Sequence, residues 1–526
     1  MALVSPAHAD REGTSAGAGT TRWTSRGAAV LAATSTAYAA LLVFLQGRPT
    51  LDTDGGVLLS VAARLLQGDR LYRDVWDNKD PLFFYVDAAA LWVAGWRGPF
   101  LLDIFWVAIA AAAVWLLLRV LDVPPLARVA GFLAYPLLLT GEWYHAGYSM
   151  LAALALAPVA AWLWARGSPT AAGVVVGLGV LFKVNLALVL VAAPVTLFLL
   201  GVPVRRNVRH MLEFLTGLAG TLALAAGLLG ARGELVPYLH VLRDNLSYAN
   251  DVLVGTGRIG GVHGHVRAFE TLTRHARPVI AVFFLAGALA VGILIRGRVR
   301  QRTTPLGRVS ALLLGVGLAT AVTLALTTAW DHHVQMLAYP GTFLVVFVVA
   351  ALNEVVRLRP LRWSAQAAAV AGALLLLGVD HAPNAGWSLS RWTDPAHSRT
   401  AAALKSVRAA QLPAAIDVSY THLGQNDEEG HAAFIGGGWT LACARFHQYP
   451  FTPAATLRGI LRCVETRRPK LLLVTSSLSD RTDAPAAWHR FVVAGHALLR
   501  RDYTRVFFLR HPGGTVAVWE RRSRQS

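Results

Sequence analysis

Charged residues are scarce in this 526-residue chain: they make up 15% of it, while 55% of the residues are hydrophobic. That balance excludes an ordinary soluble protein, in which about 25% of residues are charged. The chain has only two cysteines, which excludes a scaffold of many disulfides and a zinc site of clustered cysteines. It also has no repeat clear enough to indicate the paired halves of a transporter.

The hydrophobic residues lie in long runs. A helix needs roughly 20 mainly apolar residues to cross the ~30 Å hydrocarbon core of a bilayer, and we predict about eleven such helices. The predicted spans are residues 27–46, 100–118, 128–141, 149–165, 170–183, 185–201, 211–230, 279–295, 307–328, 335–353 and 363–380. Residues 82–96 are also apolar, but they contain Asp87 and stop short of a full span, so we predict an interfacial or re-entrant helix. The chain is therefore predicted to be a polytopic α-helical membrane protein.

The excess of basic over acidic residues, 49 against 30, gives a net charge of +19. The arginines lie mostly between the hydrophobic runs, where they would contact membrane lipids, so we expect no nucleic-acid partner. Lys and Arg accumulate in cytoplasmic loops. With the amino terminus inside, the predicted inner loops contain Arg119 and Arg128, Arg166, Arg205 to Arg209, Arg296 to Arg308, and Arg357 to Arg362. Residues 1–26 then form a disordered cytoplasmic tail.

The same orientation places the segments richest in polar residues outside the cell. The predicted outer segments are residues 47–99, 141–149, 182–185, 231–278 and 327–335, followed by the C-terminal part of the chain. We expect the protein to be a multi-pass protein of the plasma membrane with this polar face on the extracytoplasmic side.

The C-terminal part, residues 383–526, is predicted to be a soluble extracytoplasmic α/β domain that follows the 27–382 membrane region. Residues 469–477 have the pattern of a buried strand after a helix, and residues 503–522 alternate and turn at Gly513-Gly514 as a hairpin would. The two cysteines, Cys443 and Cys463, both lie on the predicted oxidising side. They could form a disulfide or be separate core residues.

The first outer segment carries the densest charge pattern. It reads LDTDGGVLLSVAARLLQGDRLYRDVWDNKDP over residues 51–81. Asp52 and Asp54 supply carboxylates for a base or a metal, and Lys79 supplies a cation for a phosphate. This segment is the predicted location of the chemistry.

This segment resembles the first outer loop of the GT-C glycosyltransferases that use polyprenyl-phosphate sugars. It is similar in particular to the protein mannosyltransferase and aminoarabinose transferase branch, in which an acidic residue opens the loop, a G-x-x-Y-x-D turn follows and a K-P-P-L element closes it. The histidines of AWDHHVQMLAYP, His332 and His333, resemble that family's late H-H-Y motif. The resemblance implies a GT-C-like fold, a polyprenyl-phosphate sugar donor and a glycan, lipoglycan or protein acceptor.

The chain departs from the family pattern at two places. Lys79-Asp80-Pro81 replaces Lys-Pro-Pro, and the family's Asp-Glu pair reads Asp54-Gly55, with the second acid at Asp52. The amphipathic helix after Asp54 aligns that residue with the family's acid. We therefore predict Asp54 as the general base, with Asp52 as its neighbour or a ligand of metal or acceptor.

Two lysines are the candidates for binding the donor phosphate. The resemblance points to Lys79, and Lys183 is the only Lys or Arg between Arg166 and Arg205, within a long apolar hairpin. A charge placed there is costly unless it lines a polar cavity. Both lysines could instead snorkel to the membrane surface, and Asp54 could simply cap a helix.

Two further groups are weaker candidates. Glu142 and His145 lie in an outer turn that could bind acceptor or metal, or could be a capped loop with aromatic interface anchors. His332 and His333, after Asp331, could bind the donor phosphate or a divalent metal. Adjacent histidines point in different directions, so at most one is expected to be a metal ligand. No cofactor is certain from the sequence.

The sequence therefore predicts an inverting membrane glycosyltransferase that uses a polyprenyl-phosphate sugar. The alternative is a transporter or flippase for lipid-linked sugars, which would share the membrane setting and the cationic sites.

Overall fold

The computed structural model describes residues 25–46, 54–141, 147–202, 208–255, 304–326, 331–356, 419–423, 440–443, 454–475, 478, 486–511 and 514–522. These residues are mostly helical. Five helices are long and apolar enough to cross a membrane: Ser25–Leu45, Gly98–Val120, Val208–Ala231, Pro305–Leu324 and Gln335–Asn353. The length and composition of these helices identify a membrane protein.

Twelve helices are described before the C-terminal sheet. They are α1 Ser25–Gln46, α2 Asp54–Leu66, α3 Pro81–Ala94, α4 Gly98–Val120, α5 Pro125–Leu139, α6 Ser149–Ala165, α7 Pro169–Phe182, α8 Ala187–Leu199, α9 Val208–Ala231, α10 Leu235–Gly255, α11 Pro305–Leu326 and α12 Ala338–Val356. Short 3-10 turns span Gly95–Arg97, Val184–Leu186 and Asp331–Leu337.

Most of the sequence-based helix predictions agree with these elements. Every predicted span within the described residues is largely helical, whereas residues 279–295 and 363–380 lie outside the described residues. A helix, α3, also occupies the segment where we predicted an interfacial or re-entrant one. One prediction was wrong: the outer segment that begins at residue 231 was expected to be a loop, but it contains the 21-residue helix α10. Its Leu235, Tyr238, Val241 and Leu242 are spaced as on one helix face.

Small residues allow α7 and α9 to pack closely. A Cβ atom added to Gly173 of α7 would lie 2.0 Å from the backbone oxygen of Phe214, and one added to Gly217 of α9 would lie 2.1 Å from that of Thr170. Glycine is therefore required on both sides of the crossing. Such small-residue contacts are typical of helix pairs in membranes.

The two ends of the helix bundle match the predicted alternation of loops. At one end, Arg308 in the first turn of α11 donates to the carbonyl of Leu121 after α4, and its guanidinium lies 3.6 Å from Asp122. Both segments are predicted inner loops. At the other end, the first outer segment contacts the 182–185 turn and the start of α10, as described below. Which end faces the cytoplasm stays a prediction.

The C-terminal part contains a five-stranded sheet. Its elements are β1 Ser419–Leu423, β2 Thr440–Leu441, α13 Ala454–Arg467, β3 Leu471–Thr475, α14 Ala486–Asp502, β4 Tyr503–His511 and β5 Gly514–Arg521. The strand order is β2-β1-β3-β5-β4, with β1 parallel to β2 and β3, and β5 antiparallel to β3 and β4. Trp488 and Phe491 of α14 and Ile460 of α13 are buried with Leu472 of β3. The strand at 471–475 and the β4–β5 pair are those that the sequence predicts.

A disulfide joins Cys443, after β2, to Cys463 in α13, with the two Cα atoms 6.0 Å apart. The bond ties a short edge strand to a helix. We expect the Cys443→Ser/Cys463→Ser variant to lose about 3 kcal/mol of stability in this part of the chain, because a cross-link restricts the unfolded chain. Protease resistance in a urea series would measure the loss. Reduction of the wild-type protein should reproduce the shift, and an unchanged urea midpoint would contradict the prediction.

Candidate functional site

The helix α2 begins at Asp54, so the predicted base lies where the chain enters this helix. Leu58 and Val61 of α2 are buried, and α2 packs against α3. This packing fixes the position of the start of α2 relative to the loop that follows. The side chain of Asp54 and the whole of Asp52 lie outside the described residues, as do Glu142 and His145. Their predicted roles stay predictions.

The loop between α2 and α3 is folded tightly around Lys79. Tyr72 has a φ of 63°, which is uncommon for a residue other than glycine. Its hydroxyl donates to the carbonyl of Lys79 at 2.7 Å, and the backbone N–H of Lys79 donates to Asp77 at 2.9 Å. The Tyr72 ring also stacks on Tyr238 of α10, with ring centres 5.2 Å apart. The backbone of Lys79 is thus held from two sides.

The two predicted phosphate-binding lysines meet at one aromatic ring. Lys79 Nζ lies 5.5 Å from the centre of the Tyr148 ring, and Lys183 Nζ lies 4.9 Å from it. Lys183 is 8% exposed and Tyr148 is 5% exposed. Both distances are within the range of a cation–π contact. The structure therefore gathers two cations from distant segments at a mostly buried position, where an anion would be strongly attracted.

The turn that carries Lys183 explains its position. Helix α7 ends at Phe182, and Lys183 has an extended backbone (φ −159°, ψ 93°) before the 3-10 turn at Val184. This break in the helix directs the chain around the lysine at the end of the bundle. Lys79 Nζ also donates to Asn78 at 2.9 Å, and the amide of Asn245 in α10 donates to the carbonyl of Asn78 at 2.9 Å.

Asp80 links the two lysine segments. It is 5% exposed, and its carboxylate accepts hydrogen bonds from the N–H of Val184 at 2.9 Å and from the hydroxyl of Tyr238 at 2.7 Å. Burial raises the pKa of Asp80 above its ordinary value, while these two donors and the ammonium groups of Lys183 and Lys79 act in the opposite direction. Sequence reasoning treated Asp80 only as a tolerable departure from the family pattern.

Two polar atoms in residues that lie close in sequence to Tyr148 and Lys183 have no hydrogen-bond partner within the described part of the chain. They are the hydroxyl of Ser149, the first residue of α6, and the side-chain oxygen of Asn185. Ser149 follows Tyr148 directly, and Asn185 lies two residues after Lys183. A serine hydroxyl can donate to a phosphate oxygen, and an amide can bind a sugar hydroxyl. Both groups suit a ligand that carries a phosphate and a sugar.

Glu234, between α9 and α10, fastens the first outer segment to this side of the bundle. Its fully buried carboxylate accepts from the N–H of Leu71 at 3.1 Å, from Arg232 at 2.9 Å and from the hydroxyl of Tyr85 in α3. The bond to Glu234 raises the pKa of Arg232. Sequence reasoning missed Glu234, and its only signal was an acid just before an amphipathic run.

We expect Glu234→Ala to lower the stability of the protein by about 3 kcal/mol, because it leaves the buried N–H of Leu71 and the hydroxyl of the half-buried Tyr85 without their acceptor. Arg232 is 46% exposed, so its ion pair contributes little of this loss. Thermal unfolding of the protein in detergent would measure the change.

Glu213 is the matched control for Glu234. It lies in α9 and forms an exposed pair with Arg209 at 2.8 Å. Glu213→Ala should change stability by less than about 1 kcal/mol. Equal losses in the two variants would mean that the contacts of Glu234 do not hold the loop.

The late histidine motif, which we predicted to lie in an outer turn, forms a 3-10 turn over Asp331–Leu337. His333 is 4% exposed, and the amide of Gln335 donates to the carbonyl of Leu139 at the end of α5, at 2.7 Å. The side chains of Asp331 and His332 are not described. Among the described residues, no three His, Cys, Asp or Glu side chains lie together as metal ligands would.

Two buried acids lie near the start of α4. Asp103 is 3% exposed and accepts from the N–H of Gly147 at 2.8 Å, which fixes the backbone just before Tyr148. Asp87 of α3 is 5% exposed and lies close enough to Asp103 to interact with its charge. Asp103 is thus a further residue that positions the ring shared by the lysines.

No protein-family profile matches the sequence, and no characterised protein is similar to it in sequence. Among solved structures, the chain is similar to the cryo-EM structure of the arabinofuranosyltransferase AftD from mycobacteria, with a TM-score of 0.45 and 16% sequence identity. The match covers 96% of this chain and 40% of the AftD chain, so this chain spans less than half of that protein's length. A similarity of this size does not establish a family.

Proposed function

We propose that this protein is an inverting membrane glycosyltransferase of the GT-C type. It transfers a hexosyl or pentosyl group from a polyprenyl-phosphate donor to a cell-envelope glycan, a lipoglycan or a protein outside the plasma membrane. The observation that carries the proposal is the meeting of Lys79 and Lys183 at Tyr148. A lipid phosphate at the membrane surface is the anion that two cations at the end of apolar helices would bind.

The lysine usage of the chain supports this assignment. The sequence contains four lysines, at positions 79, 183, 405 and 470, and every other Lys-or-Arg position is arginine. Two of the four therefore lie at one ring in a chain that otherwise uses arginine. A lysine ammonium is a compact charge on a flexible stem, which differs in shape and in hydrogen-bond geometry from a planar guanidinium.

The reaction requires one bond exchange. An acceptor oxygen attacks the anomeric carbon of the donor sugar, the bond from that carbon to the phosphate oxygen breaks, and the bonding pair leaves with the phosphate. Asp54 takes the proton from the acceptor hydroxyl. Lys79 and Lys183 stabilise the charge that develops on the phosphate. A single displacement inverts the configuration of the sugar.

The remaining predicted residues are assigned around this centre. We place His332 and His333 beside the donor phosphate, and Glu142 and His145 on the acceptor side or as ligands of a divalent metal. Asp52 lies two residues before Asp54 and is assigned as its neighbour or as a ligand of metal or acceptor. These roles rest on the sequence motifs.

The test is a transfer assay with a panel of radiolabelled polyprenyl-phosphate sugars and a cell-envelope extract as acceptor. Membranes that contain the wild-type protein should release free polyprenyl phosphate and label the acceptor with one of the donors. The Lys79→Ala/Lys183→Ala variant should do both far more slowly, whereas Lys470→Ala, which alters a lysine of the C-terminal part, should behave as wild type.

A transporter would give a different result in the same assay. If the protein moves a lipid-linked sugar across reconstituted vesicles and releases no polyprenyl phosphate with any donor, the proposed activity is wrong. Equal transfer by the wild type and the double lysine variant would refute the assigned phosphate site.

A further inference from the structure

Asp80 is a buried acid beside two lysines to which we assign a phosphate. Both of its oxygens accept hydrogen bonds, from Val184 and from Tyr238, and Val184 directly follows Lys183 in the chain. Asp80 also directly follows Lys79. Its charge therefore acts on both ammonium groups from a position that solvent barely reaches, where charges interact strongly.

The charge of the lipid phosphate changes during the proposed reaction. In the donor, the phosphate is a diester and carries one negative charge. After the sugar leaves, the phosphate is a monoester and carries close to two negative charges at neutral pH. A site with strong positive potential would stabilise this product and retain it, and slow product release limits turnover in many enzymes.

We propose that Asp80 is a specificity-determining residue that offsets part of the positive charge of Lys79 and Lys183, so that the site accepts the singly charged phosphodiester and releases the doubly charged lipid phosphate. This inference rests on the proposed function. It explains why a carboxylate is buried beside two cations whose proposed ligand is an anion. Without such a role, the carboxylate would link the two lysine segments but would weaken the binding of that ligand.

The test compares two soluble probes on the purified full-length protein in detergent. Farnesyl phosphate is a prenyl monoester, and its methyl ester is the corresponding diester. Equilibrium binding of each probe is measured by calorimetry with the wild type and with Asp80→Asn. Asparagine is nearly the same size and can still accept from Val184, so the substitution removes the charge and retains the shape.

The expected result is a selective gain of affinity. Asp80→Asn should bind farnesyl phosphate about tenfold more tightly, and the diester only about threefold more tightly, because the Coulomb energy scales with the charge of the ligand. Loss of a merely structural contact would weaken both probes and could not produce this gain. In the transfer assay, farnesyl phosphate should also become a stronger product inhibitor.

Tyr238→Phe is the matched control, because it removes one hydrogen bond to Asp80 and leaves the charge in place. Its ratio of the two affinities should equal that of the wild type. Asp80→Ser serves as a second charge-removing variant if Asp80→Asn does not fold, and it should shift the ratio in the same direction.

Three outcomes would overturn the inference. If Asp80→Asn binds both probes more weakly, or gains equally for both, the carboxylate does not select by charge. If Tyr238→Phe shifts the ratio of the two affinities as Asp80→Asn does, the shift comes from a change in the position of the Asp80 side chain and not from the loss of its charge. If the wild type binds neither probe, or if the Lys79→Ala/Lys183→Ala variant binds both probes as tightly as the wild type, the proposed phosphate site itself is wrong. This measurement on the lysine variant separates a failure of the proposed function from a failure of the Asp80 inference.

Discussion

Replacing Lys183 by alanine is expected to lower kcat/KM for the lipid-linked donor by about 10²–10³-fold, the loss typical of removing one fixed group that stabilises transition-state charge. Lys183 is 8% exposed and lies 4.9 Å from the Tyr148 ring that Lys79 also contacts. Its charge thus lies where water screens it poorly. The measurement is the initial rate of polyprenyl phosphate release over a range of donor concentrations.

A double-mutant cycle tests whether the two lysines act on one phosphate. Residues that share a ligand give losses that do not add, whereas independent residues give losses that do. We expect the double Lys79→Ala/Lys183→Ala variant to lose less than the product of the two single losses. A fully multiplicative loss would separate the two lysines into different sites.

Lys183→Arg asks whether charge alone is sufficient. The guanidinium keeps the charge but is planar and larger than an ammonium group, and the space at Lys183 is almost fully buried. We expect this variant to recover less than a tenth of wild-type activity. Lys470→Ala should leave the activity unchanged, since this residue precedes strand β3 of the C-terminal sheet. Full activity in Lys183→Arg would show that a positive charge at this position is sufficient, whatever the shape of the group that carries it.

The membrane helices could be predicted because their signal is local. Runs of apolar residues near 25–46, 98–120 and 305–326 each reach the length of a bilayer without help from distant parts of the chain. Helix α10 was missed because the sequence shows only such local signals. It contains no spanning run, and its Tyr238 and Asn245 matter only because they contact a loop more than 150 residues earlier in the sequence.

Part of the candidate site was singled out from the sequence, and its role stays a prediction. Lys183 was chosen because a lone cation in an apolar hairpin is costly, and Lys79 because of its motif. Tyr148, which joins them, was not singled out, since an aromatic residue in an outer turn usually marks the membrane interface. Asp80 and Glu234 were also not identified, because a single acid in a loop carries no sequence signal for its distant partners. Those partners, Val184, Tyr238 and Leu71, become visible only in three dimensions.

Asp54→Asn is expected to lower the transfer rate by about 10²–10⁴-fold, which is the usual contribution of a positioned general base. The amide cannot take the proton of the acceptor hydroxyl as a carboxylate does. The effect should fall on kcat with little change in the KM for the donor, because the donor phosphate is assigned to the lysines. Single-turnover transfer at saturating donor measures this step directly.

This substitution also decides between the two interpretations of Asp54. The residue begins α2, and an aspartate at that position could have a capping role and no catalytic one. Asparagine caps helices about as well as aspartate, so a capping role predicts normal stability and normal activity for Asp54→Asn. A catalytic role predicts normal stability with lost activity. Asp54→Ala should lose the cap as well, at a cost of about 1 kcal/mol.

Asp52→Asn is the comparison that assigns the base. If Asp54 is the base and Asp52 its neighbour, Asp52→Asn should reduce transfer by less than about tenfold, since a neighbouring charge only tunes the base. A larger loss in Asp52→Asn than in Asp54→Asn would move the base to Asp52. We expect the first outcome, because alignment by the amphipathic helix that follows favours Asp54 as the base.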